Sequence, residues 1–195
     1  MSKKAEIIAV PDGRLREKAE KVSEVTDEVR GIIRRMTELS LEWEKDHPHE
    51  LSAAMAAPQM GELVRVIIIR ENMDDKEDAS WTALINPVVV ATDGPETVDF
   101  EGCLSVPNIY GKVKRPRKVR IKAMLEDGTP VRVKATEGLA RTLLHEIDHL
   151  DGVLFIDHIK GEKDAFYRLT DKGELAPLDY ETQIKDNEEL WGGGE

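Results

Sequence analysis

The chain has 195 residues, 40% of them hydrophobic and 34% charged, which is enough for one domain with an apolar core. Its 28 basic and 39 acidic side chains leave a net charge of −11, which argues against a nucleic-acid binder relying on overall positive potential, and no direct DNA binding is expected. No window has the apolar length of a membrane span, the opening MSKKAEIIAV lacks a signal-type apolar core, and the lone Cys103 has no partner for an internal disulfide; a cytoplasmic protein with no membrane contact is expected.

In chain order, the first predicted element is an amphipathic helix from Thr26 to Trp43. Val29, Ile32, Ile33, Met36, Leu39 and Trp43 recur at helical spacing, Thr26 is placed as N-cap, and Asp27 and Glu28 suit the first turn. Gly31 costs this helix about 1 kcal/mol relative to alanine, so the apolar stripe carries the prediction. Strand-like runs follow: LVRVIIIR from Leu63, ALINPVVVAT from Ala83 and TVDF from Thr97, with a break at Gly102. Between Lys112 and Lys122 lie seven basic residues and no acid, read as a solvated strand face with a docking role left open.

Around LEDGTP, Val119, Ile121, Ala123 and Leu125 must face the same side as Val131, Val133 and Ala135. A two-residue Asp127-Gly128 turn would put the two sets on opposite faces. A three-residue loop, Asp127 to Thr129, is therefore expected, pairing 125 with 131 and 123 with 133. Thr136 then caps a helix reaching about Leu150, with Glu137 in its first turn and Gly152 as terminator. Leu139, Leu143, Ile147 and Leu150 fill one side, while His145 and His149 lie within about 40° of each other on another. The expected organisation is one catalytic domain over residues 1–170 and an acidic C-terminal tail over 171–195, where eight acids face two lysines and a GGG forms a loose end.

The run His145-Glu146-Ile147-Asp148-His149 has the spacing at which two imidazoles grip one cation beside a carboxylate able to take a proton from water; the alternative is an ordinary helix that carries two histidines. A catalytic tetrahedral site needs a third protein ligand. Cys103 is one candidate, set against the ordinary role of a free cysteine as a small buried apolar group. His47 and His49, in the loop-like DHPHE, are rivals.

EGCLS, Glu101 to Ser105, and HEIDHLDG, His145 to Gly152, resemble the second and third signature motifs of the peptide deformylases. SAAMAAPQMG, Ser52 to Gly61, resembles the first, usually G-x-G-x-A-A-x-Q, and VPDGRLREKAEKV resembles the family's N-terminal segment. The resemblance runs from about residue 7 to about residue 165, with the motifs in the family's order. It implies an α+β fold in which antiparallel or mixed sheets pack around a central C-terminal HExxH helix, with an N-terminal amphipathic helix. It implies one divalent metal on Cys103, His145 and His149, iron(II) first, with zinc, nickel or cobalt as alternatives. The implied reaction removes the formyl group from N-formylmethionyl nascent polypeptides. Glu146 is then general base and acid, the Gln59 amide and the Leu104 backbone N–H are oxyanion donors, and Glu101 pairs with Arg115 behind the cysteine strand. Ala54, Met55, Leu104 and Ile147 are the expected pocket walls.

Three positions depart from the family pattern: Ser52 and Ala54 replace glycines, and Leu144 replaces the usual glutamine. A Cβ at Ala54 is expected to narrow the cleft, which keeps a catalytically weak metal- and peptide-binding relative as the alternative function. A zinc endopeptidase would leave the Cys103 and Gln59 motifs idle. Because RNA would repel the acidic tail, any transient ribosome contact is assigned to the Lys112–Lys122 run.

Overall fold

The computed structural model describes residues 6–73, 75, 77–170 and 172–192. Helix α1 spans Asp27–Asp46, and Thr26 Oγ accepts the Val29 N–H at 3.4 Å as its cap. Its stripe is buried from Val29 to Leu39, each such side chain contributing about 1.5–3 kcal/mol. Trp43 is only half-buried and stacks on His47 with ring centroids 4.0 Å apart.

The strands are β1 (Ala54–Ala56), β2 (Val66–Arg70), β3 (Trp81–Cys103), β4 (Val106–Met124), β5 (Pro130–Thr136), β6 (Phe166–Leu169) and β7 (Leu175–Pro177). They pair antiparallel in the order β1-β2-β3-β4-β6-β7, and β5 borders the C-terminal half of β4. Helix α2 is Glu137–Leu150, and two four-residue helices follow, α3 (Phe155–His158) and α4 (Glu188–Trp191). The α+β architecture matches the sequence expectation. No helix among the described residues is long and apolar enough to cross a membrane.

Strand β2 explains its own unbroken apolar run. Ile67 and Ile69 pack toward α2 with Leu84, Ile121 and Leu143, while Val66 and Ile68 pack toward α1 with Ile33 and Met36. A strand buried on both faces has no reason to alternate. A third cluster joins α3, Val113, Phe166, Ile184 and Leu190.

Several expectations change. ALINPVVVAT and TVDF are parts of one strand, β3, because Pro87 and the Gly94-Pro95 pair sit at register shifts that bend the strand without ending it. The β4-β5 hairpin keeps both apolar sets on one face, as expected, but its three-residue loop is Glu126–Gly128. Leu125 N–H donates to Thr129 O, Gly128 takes φ +86°, and Ala123 pairs with Val131. The Thr136 side chain makes no capping bond, and Leu139 is exposed while Ala140 takes the buried place. The acidic segment is packed against the body. β7 pairs with β6, a wide helical turn covers Tyr180–Ile184, and Ile184 and Leu190 are buried, so apolar anchors spaced among the acids override the tail-like composition. The GGG expected to form a loose end lies, beyond Gly192, outside the described residues.

Candidate metal centre and active site

Cys103 ends β3 at the tip of a two-residue turn, Leu104-Ser105. Glu101 pairs with Gly111 and Gly102 with Tyr110, and then the register jumps so that Cys103 pairs with Val106. A bulge of this kind re-aims a side chain. The strand therefore continues through Gly102, against the expected break. Glycine is required there for another reason, since a Cβ would lie 2.6 Å from the Tyr110 ring.

The re-aimed sulfur meets α2. Cys103 Sγ lies 3.2 Å from His149 Nε2, and one ligand atom each from Cys103, His145 and His149 lie within 4.8 Å of one another. This is the single such trio of His, Cys, Asp or Glu among the described residues. His145 Nδ1 donates to Glu101 Oε2 at 2.9 Å, which leaves Nε2 for a cation. A thiolate and two imidazoles form a donor set for a tetrahedral site with one open corner. The Glu146 Oε2 and His149 Nδ1 atoms are buried and have no hydrogen-bond partner among the described residues, and leaving such atoms unmatched costs about 1–3 kcal/mol each. The residues fit a divalent metal. His47 and His49 line the cleft but stand outside the trio.

The site rests on a buried ionic network. Arg115 grips both oxygens of Glu101 at 2.6 and 2.9 Å, Arg141 Nη1 reaches Glu101 Oε1 at 2.7 Å, and Arg115 Nη1 reaches Asp148 Oδ2 at 2.7 Å. His158 Nε2 lies 2.7 Å from the same Asp148 oxygen. Glu101 and Arg115 are thus a buried pair and not two unrelated surface charges.

The same arrangement sets the protonation states. Burial alone would raise Glu101, but the hydrogen bonds from His145 and Arg115 outweigh it and hold this carboxyl far below its usual range. Burial would lower His145, yet the Cys103 and Glu101 side chains beside it raise it well above the ordinary value. His149 is pushed well below, by burial and by the charge of His145. Burial raises Glu146 to about 7, the range in which one carboxyl both takes and returns a proton near neutrality.

A cleft of about 490 Å³ opens over this centre, lined by Ala54, Gln59, Leu104, His145, Glu146 and Tyr110 among others. Gln59 is buried, and its Oε1 accepts the Ala56 N–H at 2.8 Å, so Nε2 is turned toward Cys103 Sγ at 3.5 Å and Ser105 Oγ at 3.3 Å. Two expected pocket walls are corrected. Met55 points from β1 toward α1, with Ser40 Oγ 3.6 Å from its sulfur, because alternate strand residues face opposite sides. Ile147, on the side of α2 away from the histidines, packs in the core among Ile67, Ile121 and Leu143. Leu144 also packs on that cluster.

The sequence reading missed the grip on the first motif. Arg70 bonds both Glu44 oxygens at 2.7 and 2.8 Å, Glu44 Oε1 accepts the Ser52 N–H at 2.8 Å, and Arg70 Nε donates to Ser52 O at 3.4 Å. A charged residue closing the apolar run VIII was the available signal. Arg141 was also missed, although it lies one helical turn before His145. So was the Tyr110 hydroxyl, which donates to Glu50.

The family model for polypeptide deformylase matches residues 4–165. The peptide deformylase of Thermomicrobium roseum is 38% identical over 173 residues, covering 87% of this chain and 94% of its own. That of Rhodopseudomonas palustris is 42% identical over 164 residues, covering 82% and 88%. Among solved structures, a peptide deformylase from Synechococcus elongatus in complex with actinonin matches with a TM-score of 0.72 at 36% identity, covering 83% of this chain and 84% of that one. The enzyme from Thermotoga maritima matches at 0.70 and 29% identity, covering 80% and 97%.

Proposed function

The chain belongs to the peptide deformylase family, and we propose how its residues divide the hydrolysis of an N-formyl amide among them. Cys103, His145 and His149 would hold a divalent cation, which when bound would supply the Lewis acidity that makes water nucleophilic near neutral pH. We assign iron(II) as the resident metal on the family resemblance; one thiolate among the ligands offsets part of the charge and softens the site, and zinc, nickel and cobalt fit the same donors.

Glu146 takes the proton from the attacking water and returns it to the amine nitrogen as the formyl carbon–nitrogen bond breaks, releasing formate. Gln59 Nε2, fixed by the Ala56 hydrogen bond, donates to the oxygen on which charge builds, and the Leu104 N–H, next to Cys103, is the second donor. Glu101 and Arg115 position His145 and the cysteine strand. The substrate is an N-formylmethionyl nascent polypeptide lying along Ala54 and Leu104, in the cytoplasm and in transient contact with the ribosome.

The replaced glycines bear on affinity more than on chemistry. Ser52 and Ala54 are both buried, at 2% and 8% exposure, and both border the cleft, so each adds a Cβ to its wall while the reacting groups are all in place. One observation carries the reading: Cys103, His145 and His149 converge beside a buried Glu146 and an oriented Gln59. Formate release from a formyl-Met peptide, measured anaerobically for the parent and Glu146→Ala, tests it. Turnover by the parent alone is expected. Equal turnover in both would remove Glu146 from its role, and cleavage of internal peptide bonds would indicate an endopeptidase.

A further inference from the structure

The outward face of the β3-β4-β5 sheet has no part in the reaction. On it, Arg120 stands directly opposite Lys134, and Lys122 opposite Arg132. All four are exposed, whereas the intervening Val119, Ile121 and Ala135 point the other way and pack with α2. Like charges directly opposed across an antiparallel pair repel. Two adjacent pairs of this kind persist in a chain whose acids outnumber its bases, 39 to 28.

Their neighbours show that pairing was available. Lys114 bonds Glu96, Arg115 bonds Glu101 and Asp148, and Arg117 bonds Glu137. None of Arg120, Lys122, Arg132 and Lys134 forms an ion pair or donates a side-chain hydrogen bond among the described residues. The four line a shallow concavity of about 450 Å³ together with Val90 and Ala91 of β3, and none of them lines the catalytic cleft.

We propose that this concave basic face docks the phosphate backbone of a double-stranded RNA segment. Cross-strand neighbours about 5 Å apart and same-face residues about 7 Å apart along each strand form a compact two-by-two array, which closely spaced phosphates neutralise. The two arginines add bidentate phosphate contacts. The residues lining the concavity include no aromatic side chain on which unpaired bases would stack, which favours backbone over single-strand recognition. A concave surface receives a convex phosphate strand and not a flat bilayer. The chain's net negative charge does not prevent contact, because at physiological salt it is screened over about 8 Å. RNA held here leaves the catalytic cleft open.

The test uses the full metal-loaded chain and a fluorescent RNA duplex, with anisotropy followed across a potassium chloride series. The parent is expected to bind with a log–log salt slope of about −3 to −4, the value for four phosphate contacts. The variant Arg120→Gln/Lys122→Gln/Arg132→Gln/Lys134→Gln should bind at least about tenfold more weakly with a shallower slope. It should melt no lower than the parent, since repulsion is removed, and release formate from a short formyl peptide at the parent rate. Neutralising Lys18, Lys21, Arg34 and Lys45, exposed elsewhere, should leave RNA binding unchanged. A smaller variant, Arg120→Gln/Arg132→Gln, should lie between and serves if the larger one folds poorly. Parent-like RNA binding by the patch variants overturns the proposal, as does tighter parent binding to phosphatidylglycerol vesicles or polyglutamate than to RNA. Absence of formate release from the parent would bear on the hydrolytic reading alone, whereas its loss only in the patch variant would contradict a docking face separate from the cleft.

Discussion

Glu101 Oε2 accepts the Nδ1 proton of His145 at 2.9 Å while Arg115 and Arg141 hold the same carboxylate from the other side. A carboxylate kept ionised by the hydrogen bonds of His145 and Arg115 only accepts hydrogen bonds, so it orients the His145 ring and turns Nε2 to the site. Glu101→Gln is expected to lower metal affinity about 10–100-fold, read by chelator competition, with the fold retained by circular dichroism. Unchanged affinity would show that the imidazole is oriented without it.

Gln59 is expected to act on the transition state. Gln59→Ala should reduce kcat by about 10²–10³ with KM little changed, measured by formate release at saturating and limiting peptide. A rise in KM with kcat intact would instead make Gln59 a substrate-binding residue.

The Glu44–Arg70 pair is an expected stability determinant. Arg70 has no exposed side-chain surface, and Arg70→Met leaves Glu44 buried without its cation, at a cost of about 3–5 kcal/mol in urea unfolding. Glu44→Leu added to it should recover part of that loss. KM should rise in the single variant, since the Ser52–Ala54 wall loses its anchor.

The helices and the two histidines were legible from local signals, the α1 stripe with its Thr26 cap and the H-E-x-x-H spacing, whereas Cys103 was singled out from its rivals only by the resemblance of EGCLS to a family motif. What escaped depends on register and on distant pairings. Pro87 and Gly94-Pro95 read as breaks, yet they lie within β3 because a bulged strand tolerates them. Met55 read as a pocket wall because composition does not say which face of a three-residue strand meets the cleft. Arg70 and Glu44 are 26 residues apart, and the acidic segment carried its buried Ile184 and Leu190 among charges that dominate any composition window.

Glu146 makes stability depend on pH in the metal-stripped protein. Burial raises its folded value to about 7 from an ordinary 4.5, so between these values the folded chain binds more protons than the unfolded one. The contribution is fully present below about pH 4.5 and is lost as pH rises through about 7, a span on the order of 3 kcal/mol. Urea unfolding of the stripped parent minus Glu146→Gln, from pH 4.5 to 8, should show this decline. A flat difference would mean that Glu146 is charged in the folded chain throughout.

The most direct measurement is metal content and ligand spectroscopy on anaerobically prepared protein, with cobalt(II) exchanged into the site. One metal per chain is expected, with a sulfur-to-cobalt charge-transfer band that Cys103→Ser abolishes and loss of bound metal in His145→Ala and His149→Ala. A parent that binds no metal, or a band that survives Cys103→Ser, would contradict the Cys103, His145 and His149 centre.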